Sequence, residues 1–228
     1  MKKIYWAGDS TAAQKTILAF PETGIGQAMP LYLKPDVAVE NHAVNGRSTK
    51  SFIDESRLSA IYDRISEGDF LFIQFGHNDE KKEDPSRYTD PFSDFMTNLG
   101  TFVDAARTKG AHPVLITPLE RRCFNEEGRL DLGHHTDYVA AMKQTAVQLD
   151  VPLIDLYSMS RALMKEAGPK KTTEWYMHLE PGKYAAYPDG KTDNTHLKWE
   201  GAVIYAGCVA KGLQKLGGIY SDLLIEGL

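Results

Sequence analysis

Residues 69–79 read Asp-Phe-Leu-Phe-Ile-Gln-Phe-Gly-His-Asn-Asp, an apolar run that ends in a polar motif. The first part, residues 69–75, is nearly continuously apolar, which is typical of a central parallel strand covered on both faces. The motif Gly-His-Asn-Asp at residues 76–79 follows at the carboxyl end of that strand, where open α/β sheets bind their ligands. This stretch therefore predicts the centre of a parallel sheet and one part of a functional site.

The rest of the chain repeats the same organisation. Short β-type runs alternate with amphipathic helical runs, the pattern of a parallel sheet flanked by helices, and 228 residues suit a single domain over residues 1–228. Residues 168–192 break the alternation with a long, aromatic-rich stretch that we predict to be an irregular, functional loop. The predicted strands are residues 4–7, 37–40, 69–75, 113–117 and 151–154, and the predicted helices are residues 51–65, 92–107, 137–149 and 199–216.

Composition limits the partners and the location. The net charge is −5 with no basic stripe, which argues against nucleic acid and anionic membranes as partners, and it leaves the oligomeric state open. The basic start at residues 1–3 is followed by too short an apolar run for a secretory signal, and no stretch is long enough for a membrane helix. Cys123 and Cys208 lie far apart without a disulfide framework. We therefore predict a cytoplasmic protein.

Polar motifs near the two ends of the chain supply the groups of a nucleophilic hydrolase. Ser10, in the Gly-Asp-Ser-Thr motif of residues 8–11, follows the first predicted strand, and Asp193 and His196 are spaced to lie on one face of a turn. A serine hydroxyl is a weak nucleophile that needs a base, and the base imidazole needs an oriented partner, often a carboxylate. Taken singly, Ser10 and the Asp-x-x-His pair are also compatible with ordinary helix caps.

Acyl transfer further requires hydrogen-bond donors for the developing oxyanion. Asn78 follows the central predicted strand and carries an amide N–H₂ at the same sheet edge as Ser10. Gly46, which follows the strand at residues 37–40, can present its backbone N–H without a side chain in the way. Ser10, Gly46 and Asn78 thus become the candidates for one oxyanion site.

Together these motifs resemble the four conserved blocks of the SGNH (GDSL) hydrolases. The matching blocks are residues 8–10, Gly46 within residues 41–49, residues 76–79, and Asp193 with His196. The resemblance implies a flavodoxin-like three-layer α/β/α sandwich, a Ser-His-Asp acyl-enzyme mechanism, and an oxyanion hole built from the backbone N–H groups of Ser10 and Gly46 and the Asn78 side chain. The chain has no GxxxxGK(S/T) phosphate loop and no GxGxxG dinucleotide fingerprint, so we expect no organic cofactor, and we expect no metal.

The Gly-Asp-Ser-Thr motif and residues 41–48 look like the rhamnogalacturonan acetylesterase branch, which removes acetyl groups from pectic polysaccharide. A sugar substrate needs aromatic platforms and hydrogen-bonding groups, which Trp175 and Trp199 are placed to provide. Arg47, beside Gly46, is a candidate to face a uronate carboxylate, with a structural salt bridge as the alternative.

Other functions stay open at this point. A related esterase could act on acetylated xylan or on small acyl esters, and a noncatalytic sugar-binding module would need none of the catalytic groups. A metal-dependent hydrolase is the alternative of another class, although the chain has no HExxH motif. Its candidate ligands would be His77, Asp79, His178, Asp193 and His196.

Overall fold

The computed structural model describes residues 2–131 and 133–227. Within these residues five strands form a parallel sheet: β1 (Lys2–Gly8), β2 (Val37–Asn41), β3 (Phe70–Gln74), β4 (His112–Ile116) and β5 (Leu153–Ile154). Their order across the sheet is β2-β1-β3-β4-β5. The central strand β3 pairs with β1 on one side and with β4 on the other. The predicted strands and the central position of residues 69–75 are confirmed.

Both faces of the sheet are covered because successive side chains of β3 point to opposite sides. Phe70 and Phe72 enter one hydrophobic cluster, whereas Leu71 and Ile73 enter the other, and all four are buried. Full burial of such a side chain contributes about 1.5–3 kcal/mol relative to leaving it exposed. Continuous apolar sequence in β3 is the direct consequence of this two-sided packing.

Helices complete the outer layers of the α/β/α sandwich that was predicted. One face is covered by α1 (Ile25–Ala28), α6 (Leu156–Thr172), α7 (Trp199–Leu216) and α8 (Gly218–Ser221), and the other by α2 (Thr49–Asp54), α3 (Arg57–Tyr62), α4 (Met96–Thr108) and α5 (Thr136–Gln148). The predicted helix at residues 199–216 has the same bounds as α7. None of the helices in the described ranges is long and apolar enough to cross a membrane.

One predicted helix and the predicted loop need correction. Residues 51–65 were expected to form one helix, but the chain breaks at Ser56, whose φ of 57° lies in the left-handed region, and forms α2 and α3 instead. Residues 168–192 are not a continuous irregular loop. Helix α6, which was not predicted, is broken at Gly168, whose φ of 77° is not helical, and resumes up to Thr172. Tyr176–Leu179 (β6) then begins an antiparallel hairpin with Lys191–Leu197 (β7).

Candidate active site

The segments that follow β1, β2 and β3 meet at the carboxyl edge of the sheet, where β7 lies against them. They surround an open cleft of about 440 Å³. The cleft is lined by residues from the motifs identified in the sequence, among them Ser10, Gly46, His77, Asn78, Thr195 and His196. The structure therefore brings together four stretches that lie far apart in the chain.

Ser10, His196 and Asp193 form a continuous hydrogen-bonded chain. Nε2 of His196 lies 2.9 Å from Oγ of Ser10, and Nδ1 of His196 lies 2.7 Å from Oδ2 of Asp193. Because a carboxylate only accepts, Nδ1 carries the proton and Nε2 is left as an acceptor for the serine hydroxyl. This geometry suits proton transfer from the hydroxyl to the imidazole.

The Asp-x-x-His motif lies in a strand and not in the turn that the sequence suggested. Met177 of β6 pairs with Asp193, and the preceding residue, Tyr176, pairs with Leu197, so residues 194–196 bulge out of the hairpin. Asp193 closes the bulge, because its Oδ1 accepts from the backbone N–H groups of Thr195 at 2.8 Å and His196 at 3.0 Å. A bulge re-aims side chains next to active sites, and here it aims His196 at Ser10.

The carboxylate of Asp193 is held in its charged form. Burial by itself would raise the pKa of Asp193, but the hydrogen bonds from the ring and backbone of His196, the charge of that ring and the Thr195 N–H together lower this pKa well below its ordinary range. Asp193 is therefore ionised at any pH at which the folded enzyme would be assayed.

Hydrogen bonds at both Nδ2 and Oδ1 fix the side-chain amide of Asn78. Its Nδ2 donates to the carbonyl oxygen of Arg47 at 3.0 Å, and its Oδ1 accepts from Nη1 of Arg87 at 3.1 Å. An amide nitrogen has two hydrogens, so one stays available to the cleft. Gly46 lines the cleft beside it with a φ of +77°, a conformation that residues with a side chain rarely adopt.

The loop that carries Ser10 is shaped by its neighbours. Oδ1 of the buried Asp9 accepts from the backbone N–H of Thr11 at 2.9 Å and from its hydroxyl at 2.8 Å. The same Thr11 hydroxyl accepts from Nε2 of Gln74, at the end of β3, at 3.3 Å. Threonine at this position therefore ties the loop to the central strand, which an apolar residue could not do.

His77 forms a neutral part of the cleft wall. It is buried, and burial lowers its pKa well below the ordinary value, with the charges of His135 and Arg121 acting in the same direction. Its ring lies on that of His135, with centroids 4.2 Å apart.

The side chains considered as metal ligands are not brought together at one point. Asp79 binds Thr49 and Thr89, and His178 lies 2.8 Å from Oδ1 of Asn194. Among residues 2–131 and 133–227 no three His, Cys, Asp or Glu side chains are arranged to hold a metal ion.

The three candidate substrate-binding residues differ in position. Arg47 pairs with Glu55 at 3.0 Å and lies outside the cleft that holds Ser10, in a neighbouring depression. Trp175 is buried and packs edge-on against Tyr205, so the structure does not place it where a substrate could reach it. Trp199 is 43% exposed and lines a shallow depression beside the cleft.

Several charged residues of the cleft were not singled out from the sequence. Glu22, Lys81, Arg87 and Arg121 all line it. Arg121 lies in the segment that follows β4, so the rule that identified Ser10 and Asn78 could have found it too. Glu22 follows no strand of the sheet, and its position depends on folding of residues 20–24 against β7.

The chain belongs to the GDSL-like lipase/acylhydrolase family, which it matches over residues 7–202, and the resemblance drawn from the motifs is confirmed. It is 43% identical to the rhamnogalacturonan acetylesterase RhgT of Bacillus subtilis (strain 168), over 99% of this chain and 97% of that protein.

Two solved structures share the fold. The protein YXIM of Bacillus subtilis superposes with a TM-score of 0.81 at 27% identity, and the alignment covers 95% of this chain but only 57% of that one. The acetylxylan esterase Axe2 of Geobacillus stearothermophilus superposes with a TM-score of 0.62 at 16% identity, over 92% of this chain and 93% of that one. The second likeness concerns the fold alone.

Proposed function

We propose that this protein is a serine esterase that removes acetyl groups from acetylated rhamnogalacturonan or its oligosaccharides. The observation that carries the proposal is the hydrogen-bonded chain from Ser10 through His196 to Asp193. The polar, charged lining of the cleft suits a sugar better than a lipid chain, and the relative RhgT is named a rhamnogalacturonan acetylesterase.

In the proposed reaction, Nε2 of His196 takes the proton of the Ser10 hydroxyl as Oγ attacks the acetyl carbonyl carbon. The oxyanion of the tetrahedral intermediate receives hydrogen bonds from the Asn78 side chain and from the backbone N–H groups of Ser10 and Gly46. His196 then gives its proton to the departing sugar oxygen, which leaves an acetyl group on Ser10.

Water completes the cycle. His196, neutral again, takes a proton from a water molecule whose oxygen attacks the acetyl-serine, and acetate leaves as Ser10 regains its proton. Throughout, the ionised Asp193 holds the ring with Nδ1–H towards itself and stabilises the imidazolium that forms after each proton transfer.

The test is a substrate panel of acetylated rhamnogalacturonan oligosaccharides, acetylated xylo-oligosaccharides and 4-nitrophenyl acetate, with acetate release followed by mass spectrometry. We expect the highest kcat/KM on the rhamnogalacturonan substrates. Ser10→Ala should abolish turnover, and an organophosphonate should add one mass equivalent at Ser10 of the wild-type protein. Preference for xylo-oligosaccharides would replace the proposed substrate, and labelling at another serine would remove the proposed nucleophile.

Trp199 is the sugar platform that fits this proposal. Its exposed ring shares a depression with Phe20 and Glu22, and Glu22 also lines the cleft of Ser10. A substrate longer than one sugar can therefore extend from Ser10 towards Trp199. Trp199→Ala should raise KM for oligosaccharides more than KM for 4-nitrophenyl acetate.

We also propose a cytoplasmic location. Cys123 and Cys208 are both free thiols, the state that a reducing compartment maintains. Cell fractionation with an antibody against the chain would test this, and recovery of the protein from the medium would overturn it.

A further inference from the structure

The cleft that holds Ser10 differs in charge from the chain as a whole. The chain has a net charge of −5, yet the cleft is lined by three permanent cations, Lys81, Arg87 and Arg121, and by one carboxylate, Glu22. A positive cleft on an acidic protein attracts anionic ligands and concentrates them at the site.

Two of these four groups are already committed to protein partners. Glu22 lies 2.8 Å from Nζ of Lys15 and 3.6 Å from Nζ of Lys191. These two lysines do not line the cleft, and together they neutralise the charge of Glu22. Arg87 pairs with Asp84 at 2.8 Å and also donates to Asn78. Neither Glu22 nor Arg87 is therefore the group that a substrate charge would find free.

Lys81 and Arg121 are less completely matched. Arg121 pairs with Oε1 of Glu80 at 2.9 Å, but that carboxylate also binds Nδ1 of His135 at 2.6 Å, so Arg121 shares its carboxylate partner with a second group. No carboxylate of the described part of the chain comes within 4 Å of the Lys81 ammonium, although its charge acts on Glu80 from farther away.

We propose that Lys81 and Arg121 form a binding site for the carboxylate of an acidic sugar residue in the acetylated substrate. This inference rests on the proposed function and adds to it the chemical group of the substrate that the enzyme recognises, a carboxylate. A carboxylate there would supply the counter-charge that Lys81 lacks and a second acidic partner for Arg121, whose partner Glu80 is shared, through charge-assisted hydrogen bonds. Lys81 and Arg121 line the same cleft as Ser10, so a bound uronate selects sugars whose acetyl group lies close to an acid.

The experiment compares two forms of one substrate. Acetylated rhamnogalacturonan oligosaccharides are assayed beside the same oligosaccharides with their carboxyl groups reduced to primary alcohols. We expect wild-type kcat/KM to favour the acidic form by about tenfold or more, the scale of one hydrogen-bonded charge pair. Lys81→Met should lose most of that preference through KM, and Lys81→Glu should lose it completely.

Lys82→Met is the matched control, because Lys82 is the neighbouring lysine and its side chain is exposed outside the cleft. It should keep the wild-type ratio between the two substrates. The preference of the wild-type enzyme should also weaken as ionic strength rises, because salt screens the attraction, and Lys81→Met should show a smaller salt effect.

The two proposals fail in different ways. Equal kcat/KM on the acidic and reduced forms by the wild-type enzyme would overturn the carboxylate site and leave the esterase function standing. An unchanged preference in both Lys81 variants would likewise overturn it. If the wild-type enzyme deacetylated xylo-oligosaccharides but neither form of rhamnogalacturonan, the proposed substrate and the carboxylate site would fall together.

Discussion

The ammonium of Lys191 lies 3.1 Å from Oδ2 of Asp193, the same oxygen that accepts the hydrogen bond from Nδ1 of His196. One carboxylate oxygen thus serves a permanent cation and an imidazole that becomes charged only during turnover. The lysine competes with the imidazolium for the stabilising charge of Asp193. Lys191 also reaches Glu22, so the pair is part of a longer charge network behind the cleft.

Lys191→Met should raise kcat at constant pH. Without the lysine the carboxylate of Asp193 serves the imidazolium alone, so the imidazolium that forms after each proton transfer is stabilised more strongly. Lys191 is partly exposed, so the interaction is worth about 1 kcal/mol or less and kcat should rise by about fivefold or less. Glu22 and Asp9, the other carboxyl groups that act on His196, are unchanged in this variant.

Lys165→Met is the control for that experiment, because it removes the same charge from an exposed position outside the cleft. Its kcat should equal that of the wild-type enzyme. A kcat that is unchanged or lower in Lys191→Met would show that Lys191 does not compete for Asp193.

Asp193→Asn should be more damaging than Asp193→Ala. Oδ1 of Asp193 accepts two backbone N–H groups, so an asparagine would keep its oxygen there and turn its N–H₂ towards His196. The ring would then carry its proton on Nε2 and could not accept one from Ser10. We expect kcat to fall by about 10⁴ with asparagine and by less with alanine.

His196→Ala gives the reference for complete loss of the base. It should lower kcat at least as far as Asp193→Asn. If Asp193→Ala were the slower of the two Asp193 variants, the tautomer argument would be wrong, and wild-type kcat in His196→Ala would remove the proposed base.

Asn78→Ala should lower kcat by about 10²–10³ with a smaller effect on KM, the usual cost of removing one oxyanion donor. Arg87→Met should lower kcat less, because it only frees the amide that Arg87 holds in place. In the double variant Asn78→Ala/Arg87→Met, the amide that Arg87 holds is already gone, so loss of the arginine should cost little more. The kcat of the double variant should therefore resemble that of Asn78→Ala. Additive losses would show that Arg87 acts independently of Asn78.

Asp79 should make the protein less stable as pH rises. Burial raises the pKa of Asp79 from 3.8 to about 7, although its Oδ1 accepts hydrogen bonds from Thr49 and Thr89. Since the folded-state pKa is the higher one, the contribution of this carboxyl to stability is full below the unfolded pKa and is lost as pH rises through about 7.

Asp79→Asn keeps the accepting oxygen and removes the titration. Urea unfolding between about pH 4 and pH 8 should therefore show the free energy of unfolding of the variant gaining steadily on that of the wild-type protein. Asp104→Asn, at an exposed position on α4, should show no such gain. A difference that is constant across this range would mean that Asp79 does not titrate in the folded protein.

The sheet could be predicted from the sequence because its strands bury both faces and leave a continuous apolar signal. The Ser10 loop and Asn78 were found because they follow such strands. The hairpin of β6 and β7 was missed, since Lys191–Leu197 is largely polar and only its pairing with β6 makes it a strand. Trp175 was predicted to contact sugar, but it is buried. An aromatic residue next to a motif suits the hydrophobic core as well as a sugar-binding surface, and the sequence alone does not show which of the two it joins.

Ser10 and His196 are 186 positions apart in the chain, and the hydrogen bond between them joins the loop after the first strand to the last strand. During synthesis the nucleophile leaves the ribosome early, whereas the base arrives after all five strands of the parallel sheet have been made. A chain that ends before residue 191 contains all five strands of the parallel sheet but lacks the base. Esterase activity therefore requires that the final hairpin has been made and has folded against the sheet.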